Sequence, residues 1–276
     1  MNKLILVLLL FISINARAQY AEFYAIEVPE RYVMGTLLFK DILLKDAEVM
    51  KSNKVKEVYI KTGEKTEEKM LVNSQGYIED YYTFNPETDA IETHWRFGYG
   101  EGNILTSAYF RHARQRINYI LSYENGRLAK INCDSAGTES QWSFEYEAGR
   151  MSKMIYTKSA FDSFALTYNF LYDAESRVIS VQTGDGEKIY SITYDNSSLK
   201  ISYGMIFSNK YKFKDERITE KVFEYQTKEY LQTQTPSKII TTQEEYIYNE
   251  KGLITESVIK SDSNEKKSVF EYSLYA

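Results

Sequence analysis

The chain has 276 residues, a formal net charge of −5, one cysteine, two histidines and three prolines, against 25 tyrosines. An acidic chain is a poor partner for a phosphate backbone, which is bound by clustered Lys and Arg, so nucleic-acid binding is set aside. The lone Cys133 excludes an internal disulfide, so core burial must supply the stability.

The N-terminus combines Met1-Asn2-Lys3, an apolar run from Leu4 to Ile14, and Asn15-Ala16-Arg17-Ala18 before Gln19. That order of charged, apolar and Ala-x-Ala segments predicts a cleaved signal peptide over 1–18. No cysteine stands at the cleavage site, so the expected location is the periplasm or the exterior, without a lipid anchor. Cleavage would take Lys3 and Arg17 away and move the net charge to −7. No later stretch is long and apolar enough to span a bilayer as a helix.

Residues 19–54 read as a non-repeating cap. Asp46 to Asn53 suggests a short helix with Asp46 as N-cap. Val55 to Ile60 alternates as a first strand. From there to residue 276 one unit recurs: an aromatic strand, a polar turn, and a second strand opened by an aliphatic residue. A weak first copy places Val72 before Asn73 and Gly76. Trp95-Arg-Phe97-Gly-Tyr99 precedes Gly102 and Ile104. Tyr119 to Tyr123 precedes Gly126-Arg127-Leu128, and Trp142-Ser-Phe144-Glu-Tyr146 precedes Gly149-Arg150-Met151. Tyr168, Phe170 and Tyr172 precede Arg177-Val178; Tyr190, Ile192 and Tyr194 precede Leu199; Tyr211 and Phe213 precede Arg217-Ile218. Tyr246 and Tyr248 precede Gly252-Leu253, and Phe270-Glu-Tyr272 closes the chain.

The last aromatics fall near a two-dozen-residue period, which suits two strands and two turns. The step from Phe213 to Tyr248 is longer and contains Gln226–Gln243 with Pro236, an insertion or an elongated hairpin. Aromatics at i, i+2 and i+4 share one face of a strand and would scatter around a helix. Asn125-Gly126 is a type I′ hairpin signal, because both central residues need positive φ. The expected fold is therefore all-β: an antiparallel meander of repeated aromatic hairpins, a curved or partly closed sheet, with a small N-terminal helical cap.

These units resemble the YD repeat of Rhs and teneurin-type proteins, Tyr-Asp-x-x-Gly-Arg-(Leu/Ile). Tyr172-Asp173-Ala-Glu-Ser-Arg177-Val178 carries the fullest match, and the copies at Tyr123 and Tyr146 match with one residue fewer. The units are also similar to degenerate repeats of small exported bacterial proteins, some with curved, porin-like sheets. The resemblance covers about residues 72–276 and implies a β-hairpin array. The Asp-Pro core motif of toxin-carrying Rhs proteins is absent, since Pro29, Pro86 and Pro236 follow Val28, Asn85 and Thr235. Encapsulation and self-cleavage are not implied.

The sequence marks no catalytic residue, no cofactor and no metal ligand. His94, beside Trp95, should face away from the aromatic side, and His112 sits among Arg111, Arg114 and Arg116. Cys133 alternates with Ala129 and Ile131 and reads as a small packed residue. Gly98 to Gly102 and Gly184-Asp185-Gly186 read as turns, lacking the helix and Lys of a phosphate loop. The one candidate surface is the aromatic ladder. Trp95, Tyr99, Tyr123, Trp142, Tyr146 and Tyr172 would form a binding platform if exposed, or a core face if buried. The leading functional reading is a non-enzymatic exported binding or structural module of the envelope, with a protein or glycan partner. A glycan hydrolase with paired carboxylates and an outer-membrane β-barrel are the alternatives.

Overall fold

The computed structural model describes residues 47–276 apart from 114, 136, 159–164, 196, 204–206, 215–216, 227–238, 262–263 and 276. The expected signal peptide, residues 19–46 of the expected cap with Asp46, and most of the long step around Pro236 lie outside the described residues. Residues 47–52 form a short helix, α1.

Eighteen strands follow in chain order among the described residues: β1 (Val55–Thr62), β2 (Lys65–Val72), β3 (Ile78–Phe84), β4 (Ile91–Tyr99), β5 (Leu105–His112), β6 (Gln115–Glu124), β7 (Arg127–Ser135), β8 (Thr138–Glu147) and β9 (Arg150–Lys158); then β10 (Ala165–Tyr172), β11 (Val178–Thr183), β12 (Lys188–Asp195), β13 (Ser198–Tyr203), β14 (Phe207–Lys214), β15 (Arg217–Gln226), β16 (Ile239–Tyr248), β17 (Ile254–Ser261) and β18 (Asn264–Leu274). Each strand pairs antiparallel with the next, and β1 also pairs with β18, from Val55 opposite Leu274 to Lys61 opposite Val269. The sheet is thus a closed β-barrel, where the sequence led us to expect a curved or partly closed one. The difference has a physical reason. An open sheet would leave β1 and β18 as unpaired edges, and their mutual pairing removes both.

Strand parity sets two chemically different faces. In β8, Trp142 and Phe144 are 2 % and 8 % exposed, while Glu145 between Phe144 and Tyr146 is open to water. The same alternation buries Val58 and Ile60, Met70 and Val72, Trp95 and Phe97, Tyr119 and Leu121, and Tyr168 and Phe170. These residues form one continuous cluster that draws on strands from β1 to β18. Because the sheet is a single closed wall, the buried face is its inner face. Eighteen-stranded barrels built on a circular plan leave an aqueous channel. Here Trp95, Tyr81 and Tyr211 are buried on the inner face, so side chains fill the lumen at their level. Among the described residues Glu68, Lys221 and Glu244 are buried charged side chains that share this inner parity.

The repeat is explained by contacts at one rim. The tyrosine ending each of seven even-numbered strands donates its hydroxyl to the carbonyl of the aliphatic residue that opens the preceding strand. Tyr123 bonds Leu105 O at 2.8 Å, Tyr146 bonds Leu128 O at 2.9 Å, and Tyr172 bonds Met151 O at 2.7 Å. Tyr194 reaches Val178 O, Tyr248 reaches Ile218 O and Tyr272 reaches Ile254 O. Tyr99 does the same to Ile78 O. At four steps the arginine opening or preceding the earlier strand lies over that tyrosine's ring: Arg127 over Tyr146, Arg150 over Tyr172, Arg177 over Tyr194 and Arg217 over Tyr248. Arg and Leu of one hairpin therefore hold Tyr of the next, by a cation–π contact and a hydrogen bond.

The turns at that rim follow the sequence closely. Asn125 and Gly126 take φ of 52° and 73°, as a type I′ turn requires. At the turn joining β2 to β3, Gly76 has φ of 90°, and a Cβ there would sit 1.9 Å from Ala47 O. The missing side chain is what lets α1 rest on the rim, with Met50 entering the core cluster. The C-terminus finishes the closure. Tyr275 donates its N–H to Lys54 O at 2.8 Å and its hydroxyl to Val72 O at 2.6 Å.

Candidate functional site

The inner aromatic face holds the six residues expected as a candidate platform, and it holds them as structure. Trp95 and Trp142 are each 2 % exposed, so neither can stack on a ligand. Tyr99, Tyr123, Tyr146 and Tyr172 are half-buried against the core with hydroxyls on main-chain carbonyls. Burial pushes the Tyr172 phenol up to about 12 against the opposing pull of Arg150. Tyr146 is shifted upward for the same reason. The core-face alternative describes these six positions, because the parity that aligns the aromatics also turns them inward.

The outer face is where water-exposed chemistry gathers. Along its strands Glu57–Lys69, Glu145–Lys153, Glu220–Lys212, Glu245–Lys260 and Glu256–Lys267 form ion pairs across neighbouring strands. At one place the outer face is hollowed into a groove of about 1180 Å³ over β4 to β10. Register builds its lining in two rows. One row runs Arg96, Tyr109, Asn118, Asp134, Glu139, each opposite the next on the adjacent strand. The other runs Ser107, Ile120, Asn132, Gln141, Thr157. Gln141 Nε2 donates to Asn132 Oδ1 at 2.8 Å. Asp134 Oδ1 accepts the Gly137 N–H at 3.1 Å. Phe97, Ala108 and Tyr119 lie between the rows in sequence and point into the core.

At the β4 end of the groove stands a polar cluster. Asp80 Oδ1 accepts from Arg96 Nε at 3.0 Å and meets His94 Nε2 at 2.6 Å. The Tyr82 ring stacks on His94 with centroids 4.5 Å apart. The hydrogen bond to Asp80 raises the Arg96 guanidinium further above its ordinary range, and burial raises the Tyr82 phenol. His94 therefore faces outward, as its place beside Trp95 predicts. A second hollow of about 600 Å³ lies on the outer face of β12 to β15. Two of its lysines are engaged there, Lys212 by Glu220 and Lys200 by Glu224.

Asp134 and Glu139 are the two carboxylates that face each other in the groove. Both are exposed. Among the described residues no group of three or more His, Cys, Asp or Glu side chains is placed to hold a metal ion. No helix among them is long and apolar enough to cross a membrane.

No family model matches the sequence, and no curated protein matches it. Among solved structures the chain is similar to a porin-like protein from Bacteroides uniformis ATCC 8492, at 13 % identity and a TM-score of 0.39, over 79 % of this chain and 98 % of that one. A porin-like protein from Bacteroides vulgatus ATCC 8482 is similar at 10 % identity and a TM-score of 0.26, over 80 % of this chain and 98 % of that one. A TcdB2-TccC3-Cdc42 complex is similar at 13 % identity and a TM-score of 0.32, over 74 % of this chain and 10 % of that one. Scores of this size support no inference about activity. Closure of the sheet by itself fits the outer-membrane barrel alternative.

Proposed function

We propose that this chain is a water-facing, closed-barrel binding module of the cell envelope, exported by the segment 1–18 and without catalytic machinery of its own. One observation carries the reading: the apolar cluster fills the inside of the barrel, and most of the charged side chains stand on its outside. A membrane-spanning barrel has the opposite arrangement, with an apolar band about 25 Å tall outside and polar residues within. Lys and Arg on a lipid-facing strand cost about 2–4 kcal/mol each at the bilayer midplane. Lys153, Lys200 and Lys260 stand on the outer face with their carboxylate partners.

The outer-membrane reading has in its favour the even-numbered, fully closed antiparallel sheet, which fits it better than it fits any specific envelope module, and the exposed Ile120, Leu171 and Ile247 of the outer face. Fractionation of cells producing the chain separates the two. A water-facing module is recovered in the soluble envelope fraction or the medium. Recovery only from detergent-extracted outer membrane would favour the spanning barrel. The Tyr–Arg–aliphatic contacts at the rim also support reading the repeat as a degenerate YD repeat, with those residues serving as the seam between hairpins.

A further inference from the structure

We infer that the outer-face groove over β4 to β10 binds an uncharged oligosaccharide. The inference deepens the reading of the barrel as a water-facing module and rests on it. The two rows cross neighbouring strands about 4.8 Å apart, so each offers a new side chain at that interval. Asn118, Asn132 and Gln141 carry amides, which both donate and accept, and Asp134 and Glu139 accept. Sugar hydroxyls also both donate and accept, and such a row satisfies several in sequence. Ile120, 58 % exposed among these polar groups, and the Tyr109 ring supply apolar surface for the C–H faces of a sugar ring.

Charge narrows the ligand class. Arg96 and Lys158 balance Asp134 and Glu139 around the groove, so its lining carries no net charge and offers a polyanion no net attraction. An extended peptide would find no backbone partner, because β4 to β10 are all interior to the closed sheet and their ladders are filled. An apolar ligand would strand the amides without hydrogen bonds.

The test uses the full chain and a panel of neutral hexasaccharides from β-glucan, xylan and mannan, with an oligogalacturonate as the charged control. Isothermal titration calorimetry should detect binding of at least one neutral hexasaccharide and none of the oligogalacturonate. Asn132→Ala with Gln141→Ala should weaken that binding at least about tenfold. The exposed Thr241→Ala on β16, away from the groove, should leave it unchanged. Thermal melts of all variants should lie close to the parent, since Asn132 and Thr241 are exposed and Gln141 is half-buried. Soluble, folded protein that binds no neutral member of the panel would overturn the inference and leave the barrel reading standing. So would preferred binding of the oligogalacturonate, or binding indifferent to the Asn132/Gln141 double variant. Protein that stays folded only in detergent would overturn both.

Discussion

Tyr146→Phe isolates the contact on which the repeat depends. The substitution removes one hydroxyl, which donates to Leu128 O at 2.9 Å, and keeps the ring beneath Arg127. A neutral intramolecular hydrogen bond contributes about 0.5–1.5 kcal/mol net, and a buried carbonyl left without its partner can cost about 1–3 kcal/mol. Leu128 is 8 % exposed, so its carbonyl has little water to turn to. Tyr146→Phe should therefore cost about 1–2 kcal/mol. The fold contains the reverse experiment. Phe213 ends β14 where seven other even-numbered strands carry the bonding tyrosine, and Leu199 on β13 stands where Leu128 stands on β7. Phe213→Tyr should stabilise by about 0.5–1 kcal/mol, one neutral hydrogen bond at a half-buried site. Urea melts followed by the fluorescence of buried Trp95 and Trp142 read both changes as midpoint shifts at constant slope. A Tyr146→Phe midpoint equal to the parent's, together with a Phe213→Tyr loss above about 1 kcal/mol, would refute the idea that the hydroxyls join the hairpins.

Three further outcomes follow from named contacts. Phe144→Ala should cost about 3–5 kcal/mol, whereas its exposed neighbour Glu145→Ala, which loses only a surface pair with Lys153, should stay within about 0.5 kcal/mol; equal shifts in urea would contradict the parity of β8. Gly76→Ala should destabilise by more than about 1 kcal/mol, because φ is positive and the new Cβ meets Ala47 O; full stability would mean that α1 does not rest on that turn. Tyr172 and Tyr194 have phenols raised to about 12 by burial, against about 10 in an unfolded chain. Their folded state holds the proton more tightly, so their contribution is intact below about pH 10 and is lost as pH rises toward about 12. The urea midpoint should fall between those values, and less steeply in the Tyr172→Phe, Tyr194→Phe double variant.

Much of this architecture is local and was therefore legible in the sequence. The i, i+2 spacing of Trp142, Phe144 and Tyr146 fixes a strand and its face, and Asn125-Gly126 fixes a turn. The outward position of His94 follows from the same parity. Closure was not legible, because it rests on β1 pairing with β18 across nearly the whole chain, with no turn to signal it. The role of the tyrosines was hidden for a related reason. A hydroxyl bonded to a main-chain carbonyl leaves no mark on the partner's identity, and Leu128, Met151 and Val178 are simply aliphatic. The groove was least legible of all. Asn118, Asn132 and Gln141 belong to three strands and become neighbours only through the register of β6, β7 and β8. The bulge between Ser122 and Tyr123 alters that register in a way that residue counting does not reveal.

Placement of the apolar face inside and the charged face outside is the claim that the functional reading depends on, and solubility measures it directly. The chain, produced with its own N-terminal segment in a Gram-negative host, should leave the envelope by osmotic shock or appear in the medium. In detergent-free buffer it should then run as a folded, strand-rich species on size exclusion with light scattering. Protein found only in carbonate-washed outer membranes, and aggregating when detergent is removed, would show that lipid covers the outer face and would contradict the account.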